Sequence, residues 1–474
     1  MHGYSTEFKR STINMKFNKT IILAAVVLGL PYVAYPQAFV EAPADSISAH
    51  MVTAPPATPL PSVWTFDNCI EWATANNTDI RRTMLNILQA RQDVLVAKDA
   101  WLPTVGFSTN QSFTNYPSPE AGRKGNAYGS SYNIGASWTV WEGNARKYRQ
   151  ESAKILEQQQ ALAGDDIIKQ LKLGILESYL NILYAGEAVT IARQTLEVST
   201  SQAERMKKLM EAGKNSKVEY AQIESQRAQD AYNLTQAESN YESSKMALKK
   251  ILELGLDYNL DIAEVAFPDS DVMAVLPDRN QVYQLASQWL PTLKSNDLSK
   301  EIYANDVKIA KAGNKPSIDL TGSLGTGYTS GGKGWGNQMG HNFNENVGVN
   351  LNVPIFDANS TKRAVAKAKL AEMEYDLDRK NLLDDLSQTI ESLYIDATNA
   401  RAKYVSGLSQ LEAVKLNDDL VNRQFELGLV NPLDLLSAHN NLLNARLELL
   451  QTKYMAILAN KTINYYATQE VSLN

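Results

Sequence analysis

The sequence contains two tandem copies of one long unit, and this duplication limits the folds that the chain can adopt. Residues 141–144 (Trp-Glu-Gly-Asn) return as 356–359 (Phe-Asp-Ala-Asn), and residues 211–213 (Glu-Ala-Gly) return as 426–428 (Glu-Leu-Gly). The spacing of about 215 residues is far longer than the roughly 20–50 residues of solenoid repeats. The chain is therefore expected to form two similar halves that lie side by side in a ring.

Each unit reads as a long helix, a strand, a loop, a strand, a very long helix, a turn and a further long helix. Residues 144–212 contain no proline and only three glycines. At 1.5 Å per residue, a helix of this length extends about 100 Å. No globular core is that wide, so the segment is expected to lie in a coiled coil or a helical tube.

Apolar residues in these helices recur with a period of 3.5, which predicts left-handed supercoiling. In the second unit the pattern runs through 390–425 and 433–457. Asp418 and Asn440 interrupt it, either as polar residues that fix the register or as residues that face a water-filled bore. In the first unit the seven-residue repeat has mostly small partners three residues further on, and its members are Ile168, Ile175, Ile182, Val189, Leu196, Ala203 and Met210.

Four shorter segments alternate apolar and polar residues, which is typical of strands that face two different solvents. The strands are predicted at about 104–114, 131–141, 316–328 and 345–356. Roughly ten residues suit a tilted transmembrane strand. Such alternation also fits a soluble sheet, but a small soluble sheet gives no reason for two helices of about 100 Å. The helices therefore favour the membrane interpretation.

The N-terminus has the pattern of an export signal. Lys16 and Lys19 precede an apolar stretch at 20–34, which is too short for a confident membrane span. Residues 1–38 are predicted to be a signal peptide, with Met15 as an alternative start. Residues 39–63 are rich in proline and alanine and are predicted to be a flexible leader.

Charge and motifs argue against several function classes. The formal net charge is −6, and the sequence has no basic stripe with interleaved aromatic residues, which argues against nucleic acid as a partner. The single cysteine, Cys69, has no intramolecular disulfide partner and is predicted to be a buried thiol. The four histidines are scattered, and zinc-protease, Cys-x-x-Cys, nucleophile-elbow and phosphate-loop motifs are missing. We therefore expect no catalytic residue, no cofactor and no metal site.

Taken together, these features resemble the TolC-like outer-membrane efflux proteins, also called outer membrane factors. The resemblance rests on the duplicated unit, the opening at 66–77, and the Ala-Lys-x-x-x-x-Pro entries at 97–103 and 310–316. The most specific part is the second turn, Phe-Glu-Leu-Gly-Leu-Val-Asn-Pro-Leu-Asp at 425–434. The resemblance covers about 64–468, nearly all of the chain after the leader.

The resemblance implies a mainly α fold with a small membrane β-barrel. A homotrimer would close a twelve-stranded barrel, continued by a periplasmic α-helical coiled-coil tunnel. The first efflux repeat is expected at 64–265, the second at 266–468, and a C-terminal tail at 469–474. The resemblance also implies outer-membrane lipid around the barrel, a periplasmic adaptor, and an inner-membrane pump of the RND or ABC type. The channel would export small molecules or proteins passively, in efflux or type I secretion.

The resemblance places function at the two helical turns. Gly213, Gly428 and Leu429 correspond to adaptor-docking positions, although both glycines also suit helix ends that need left-handed backbone geometry. Asp434 and its first-repeat counterpart Glu219 correspond to acidic positions at the tunnel entrance. Both acids also suit the first turn of a helix, where they complement the dipole.

Two other classes of protein stay open from the residues alone. A periplasmic adaptor also contains long helical hairpins, but it is expected to carry one hairpin flanked by lipoyl-like and β-barrel segments. A structural coiled-coil protein of the cell envelope would lack membrane strands.

Overall fold

A computed structural model describes residues 60–118, 125–332 and 334–473. The predicted signal peptide and nearly all of the predicted leader lie outside these residues. No helix in the described ranges has the length and apolar character needed to cross a membrane.

The two repeats fold into similar successions of elements, each ending in a helical hairpin, and the second contains two additional short helices. The first repeat comprises α1 (Phe66–Asn76), α2 (Thr78–Asp99), β1 (Thr104–Asn115), β2 (Asn126–Glu142), α3 (Ala145–Glu211) and α4 (Lys217–Ile251). The second comprises α5 (Asp269–Val272), α6 (Arg279–Trp289), α7 (Pro291–Ala312), β3 (Ser317–Thr329), α8 (Trp335–His341), β4 (Asn344–Asn352), α9 (Ser360–Glu426) and α10 (Pro432–Thr468). We call α3–α4 the first hairpin and α9–α10 the second hairpin.

The four strands form one antiparallel sheet in the order β1-β2-β3-β4, so β1 and β4 are its open edges. The register sorts side chains by polarity, because directly paired residues lie on the same face. Phe107, Ile134 and Leu324 pair across three strands on one face. Ser108 and Asn133 pair on the other.

The apolar face of the sheet is bare in this chain. Phe107 is 66% exposed and Val349 is 70% exposed. Val347, Leu351 and Val353 are also exposed rather than packed into a domain interior. The sheet therefore has one face suited to hydrocarbon and one suited to water, as the alternation predicts.

Two strand ends differ from the expected positions. β4 ends at Asn352, four residues before the expected end at 356, and Pro354 lies just beyond. Proline has no N–H to donate to a strand ladder. β2 begins at Asn126 instead of about 131, because the polar residues at its start still pair with β1.

The two long helices α3 and α9 have 67 residues each. In the second hairpin, the predicted positions from Ile390 to Phe425 are buried or half-buried, while the residues between them are mostly exposed. The predicted 3.5 period is confirmed there. Leu433 is an exception at 60% exposure, because it lies in the first turn of α10 at the end of the hairpin.

The first hairpin confirms the predicted packing only in part: Ile175 and Ile182 are fully buried, as expected. Ile168, Val189 and Leu196 are only half-buried. Their small partners Ala192 and Ser199 are more deeply buried, at 8% and 1% exposure. Small side chains at a contact let helix axes approach closely, so the small positions form the centre of the packing in this part of α3, between Val189 and Ser199.

The largest buried cluster holds the start of the described chain against the middle of α3. Trp64 is fully buried and pairs with Ile262 in a short parallel bridge. The Tyr179 hydroxyl lies 3.2 Å from the carbonyl oxygen of Trp64 and 2.8 Å from that of Ala263, close enough to donate to either. Cys69 is part of the same cluster, and burial raises the pKa of its thiol to about 12, which confirms the predicted buried thiol.

Each long helix follows two consecutive residues with left-handed backbone. Gly143 and Asn144 have φ angles of 64° and 71°, and Ala358 and Asn359 have φ angles of 52° and 63°. Left-handed geometry costs an L-residue about 1–2 kcal/mol. We therefore expect Ala358→Gly to raise the free energy of unfolding by about 0.5–1 kcal/mol, after glycine's extra freedom in the unfolded chain is subtracted. Urea titration followed by circular dichroism in detergent measures this change.

The matching position in the first repeat provides the control. A Cβ on Gly143 would lie 2.9 Å from Lys315 Cβ and 3.1 Å from the carbonyl oxygen of Ala312. Gly143→Ala is therefore expected to lower the free energy of unfolding. A destabilising Ala358→Gly, or a neutral Gly143→Ala, would contradict the role given to this backbone geometry.

Candidate docking and entrance site

Both hairpin turns are built around a glycine with left-handed backbone. Gly213 has a φ of 71° and Gly428 a φ of 74°. At the first turn, the Gly213 N–H donates to Met210 and the Lys214 N–H donates to Leu209, both at 2.9 Å. The second turn repeats these two bonds at Gly428 and the residue after it, at 3.0 and 2.9 Å. This is the Schellman arrangement, which satisfies carbonyl groups at the helix end.

The glycine turns leave open space. Apart from its immediate chain neighbours, a Cβ placed on Gly213 or Gly428 would meet no atom of the described residues within 4 Å. The restriction at these two positions is therefore the backbone angle and not local crowding.

The helices that follow the turns begin with side-chain caps. Ser216 and Glu219 form a reciprocal capping box, in which a Glu219 carboxylate oxygen accepts from the Ser216 N–H at 2.8 Å. In the second turn, Asn431 Oδ1 accepts from the Asp434 N–H at 3.0 Å. Glu219 is half-buried and holds its own helix start, while Asp434 is exposed. The two predicted acidic residues thus occupy matching positions but differ in environment.

Apolar side chains surround the turns and are exposed to solvent. Leu429 is 70% exposed and Leu427 is 75% exposed. Val218, beside the first turn, is 66% exposed. Clusters of large exposed apolar side chains are typical of surfaces that bind another protein.

The two hairpins pack against each other just behind their turns. Leu435 of the second hairpin lies in a buried cluster with Ala203, Met206 and Ile223 of the first, and Phe425 packs against it. An ion pair of 2.6 Å between Arg205 and Glu426 also links the hairpins. The ends of the two hairpins are therefore held together mainly by apolar packing.

A buried polar network lies further from the turns, along the same contact between the two hairpins. It is not recognisable as a site from the sequence alone. Gln226 Nε2 of the first hairpin donates to Asp230 Oδ1 at 2.9 Å and to Asn440 Oδ1 at 3.2 Å. His439 lies between Asp230 and Asp418. The signal in the sequence was the interruption of the apolar period at Asp418 and Asn440. Asn440 meets the other hairpin in this contact, which favours the register-fixing interpretation for that residue.

No group of three or more His, Cys, Asp and Glu side chains within the described residues is placed to hold a metal ion. The turns present exposed apolar side chains and an exposed carboxylate to solvent.

Comparison with known proteins agrees with this architecture. The family model described as outer membrane efflux protein matches the chain twice, over residues 69–253 and 282–465. Outer membrane efflux protein BepC of Brucella suis is 19% identical over 390 residues, which cover 82% of each chain. Alkaline protease secretion protein AprF of Pseudomonas aeruginosa is 25% identical over 319 residues, which cover 65% of this chain and 64% of AprF.

A solved structure has the same fold. The outer membrane channel CmeC of Campylobacter jejuni aligns with a TM-score of 0.68 at 18% identity, over 85% of this chain and 86% of CmeC. The two family matches fall in the two repeats, each with its strand pair and helical hairpin. The chain belongs to the outer membrane efflux protein family and is an outer-membrane export protein, not an enzyme.

Proposed function

We propose that the chain forms a trimeric channel-tunnel that passively exports small molecules or proteins delivered by an inner-membrane pump and a periplasmic adaptor. The observation that carries this proposal is the sheet with one bare apolar face and two open edges, joined to two helices of 67 residues. The sheet suits a barrel wall in lipid, and the helices suit a tunnel wall that extends away from the membrane.

Strand number supports the trimer. Unpaired backbone at the edges of β1 and β4 is intolerable in hydrocarbon, and four strands are too few to close a barrel. Three copies supply twelve strands and remove every edge. α9 also has large exposed apolar side chains that suit contact with a neighbouring copy, namely Leu370, Met373, Leu377, Leu416 and Leu420.

The turns support docking of an adaptor. Leu427, Leu429 and Val218 expose apolar surface at the end of the hairpins farthest from the sheet. Gly213 and Gly428 hold the turns in the shape that presents these side chains. We therefore propose the two turns as the adaptor contact, and Asp434 as an acidic group at the tunnel entrance.

The pump determines the cargo in this proposal. BepC is named as an efflux protein and AprF as a secretion protein. A wall that only encloses water serves both tasks, so we propose no cargo-binding site in the wall. The pump would belong to the RND or the ABC type. The two alternative classes, a periplasmic adaptor and a structural coiled-coil protein, do not explain why this chain contains duplicated strand pairs.

Assembly and conduction test the channel directly. We expect the protein, extracted from outer membranes in mild detergent, to run as a trimer that heating converts to a monomer. The same trimer is expected to give single-channel currents in planar lipid bilayers. A soluble periplasmic monomer, or a trimer without conductance, would contradict the proposal.

Leu429→Ser tests the docking surface. Burial of an exposed leucine contributes about 1.5–3 kcal/mol, so its loss is expected to weaken adaptor binding by roughly tenfold or more. The readouts are the amount of adaptor that co-purifies with the trimer and the export of a fluorescent pump substrate. Val275→Ser is the matched control, because Val275 is 93% exposed and lies far from the turns in sequence. Equal effects of both variants would rule out the turns as the specific contact.

Asp434→Asn tests the entrance carboxylate. Removing an exposed charge from each of three chains is expected to reduce the cation selectivity of the pore and its block by multivalent cations. Reversal potentials and blocking titrations in planar bilayers measure both effects. Glu219→Gln is expected to have a smaller effect, because Glu219 is half-buried and engaged in its capping box. Unchanged selectivity in Asp434→Asn would remove this residue from the entrance.

A further inference from the structure

His439 lies between two carboxylates in the interior of the helical region. Its Nε2 is 4.0 Å from Asp230 Oδ2, and its Nδ1 is 4.0 Å from Asp418 Oδ1. Asp230 is 1% exposed and His439 is 7% exposed. The two carboxylates approach opposite nitrogens of one ring, an arrangement that suits a proton on each nitrogen rather than one shared metal ion.

Each member of this group has an unsatisfied atom that faces its neighbour. His439 Nε2, Asp230 Oδ2 and Asp418 Oδ1 are buried and have no hydrogen-bond partner among the described residues. An unsatisfied buried polar group destabilises the folded state. A neutral imidazole has one N–H and can donate to only one of the two carboxylates, whereas an imidazolium donates from both nitrogens. Each gap is about 1 Å longer than a charge-assisted hydrogen bond, so a small approach would complete both.

The three residues connect the two repeats. Asp230 belongs to α4 of the first hairpin, while Asp418 and His439 belong to α9 and α10 of the second. His439 lies seven residues after the start of α10, and therefore about 10 Å from the turn. A contact to Asp418 closes the second hairpin on itself, and a contact to Asp230 joins it to the first.

The other charged groups around the site are few. Asp419 and Arg446 act on Asp418 in addition to His439. Burial raises the pKa of Asp418, and the nearby His439 opposes that rise. Asp230 also lines a groove of about 340 Å³. The side chains that α3 contributes to its lining are all uncharged, namely Tyr184, Ala185, Ala188, Ala192 and Thr195.

We propose that His439 is a proton-operated latch, which binds a second proton between Asp230 and Asp418 and thereby locks the two hairpins together behind their turns. Histidine is the side chain whose charge normally changes between about pH 5 and about pH 8. In the latched arrangement, the carboxylates of Asp230 and Asp418 stabilise that proton. In separated hairpins they do not. Linkage therefore makes the contact stronger as pH falls and weaker as pH rises.

Hydrogen exchange tests the latch in the intact trimer. We expect amides near His439 in α10 and near Asp230 in α4 to lose protection by about tenfold between about pH 5.5 and about pH 8, after correction for intrinsic exchange. His439→Gln is expected to abolish this pH dependence. His341→Gln is the matched control, because His341 is an exposed histidine of α8, outside both hairpins, and it is expected to retain the wild-type response.

Asp230→Asn tests the contact between His439 and Asp230 separately from the contact between His439 and Asp418. It is expected to remove the pH dependence in α4 while part of the response in α10 persists through Asp418. If His439→Gln fails to form trimers, Asp230→Asn carries the test by itself. Retention of the full response in His439→Gln or in Asp230→Asn, or its loss in His341→Gln, would overturn the proposal.

The consequence for the pore rests on the proposed function. Single-channel recordings are expected to show a lower open probability at about pH 5.5 than at about pH 8 in wild type, and no such difference in His439→Gln. A trimer without any conductance would refute the channel and leave the exchange result intact. A conducting trimer whose hairpin protection is independent of pH would refute the latch alone.

Discussion

The open edges of the sheet are the constraint on which the rest of the structure depends. β1 and β4 each have one unpaired side, and the apolar face between them is bare. Water satisfies unpaired backbone groups and lipid does not, so the sheet becomes stable in a membrane only when other copies complete it. Once copies assemble around an axis, the helices that continue from each strand pair must stand side by side. A tunnel wall therefore follows from closure of the barrel.

Much of the fold was predictable because the sequence contains two long periodic patterns of apolar residues. The period of two sorted the strand residues by face, and the structure pairs Phe107 with Ile134 on the apolar side and Ser108 with Asn133 on the polar side. The period of 3.5 identified the packed side of α9 over most of its length. It failed at Leu433, which lies in the first turn of α10. A pattern of residues does not show where a partner helix ends.

The depth of packing was less predictable, because burial depends on the distance between helix axes. Large side chains such as Val189 looked like the centre of the contact, but small ones such as Ala192 are buried more deeply. The polar network was missed for a related reason. His439 lies next to Asn440 but on a different side of α10, and its meaning depends on Asp230, about 200 residues earlier in the chain. Only the fold brings these residues together.

The equal length of α3 and α9 has a consequence for how such a chain diverges. Both helices begin just beyond a strand and both contain 67 residues. Seven extra residues in one helix would shift its turn relative to the other by about 10 Å. The relative height of the two turns is kept only if both helices gain or lose residues in step. Insertions and deletions are therefore expected to accumulate in matched pairs, one in each repeat.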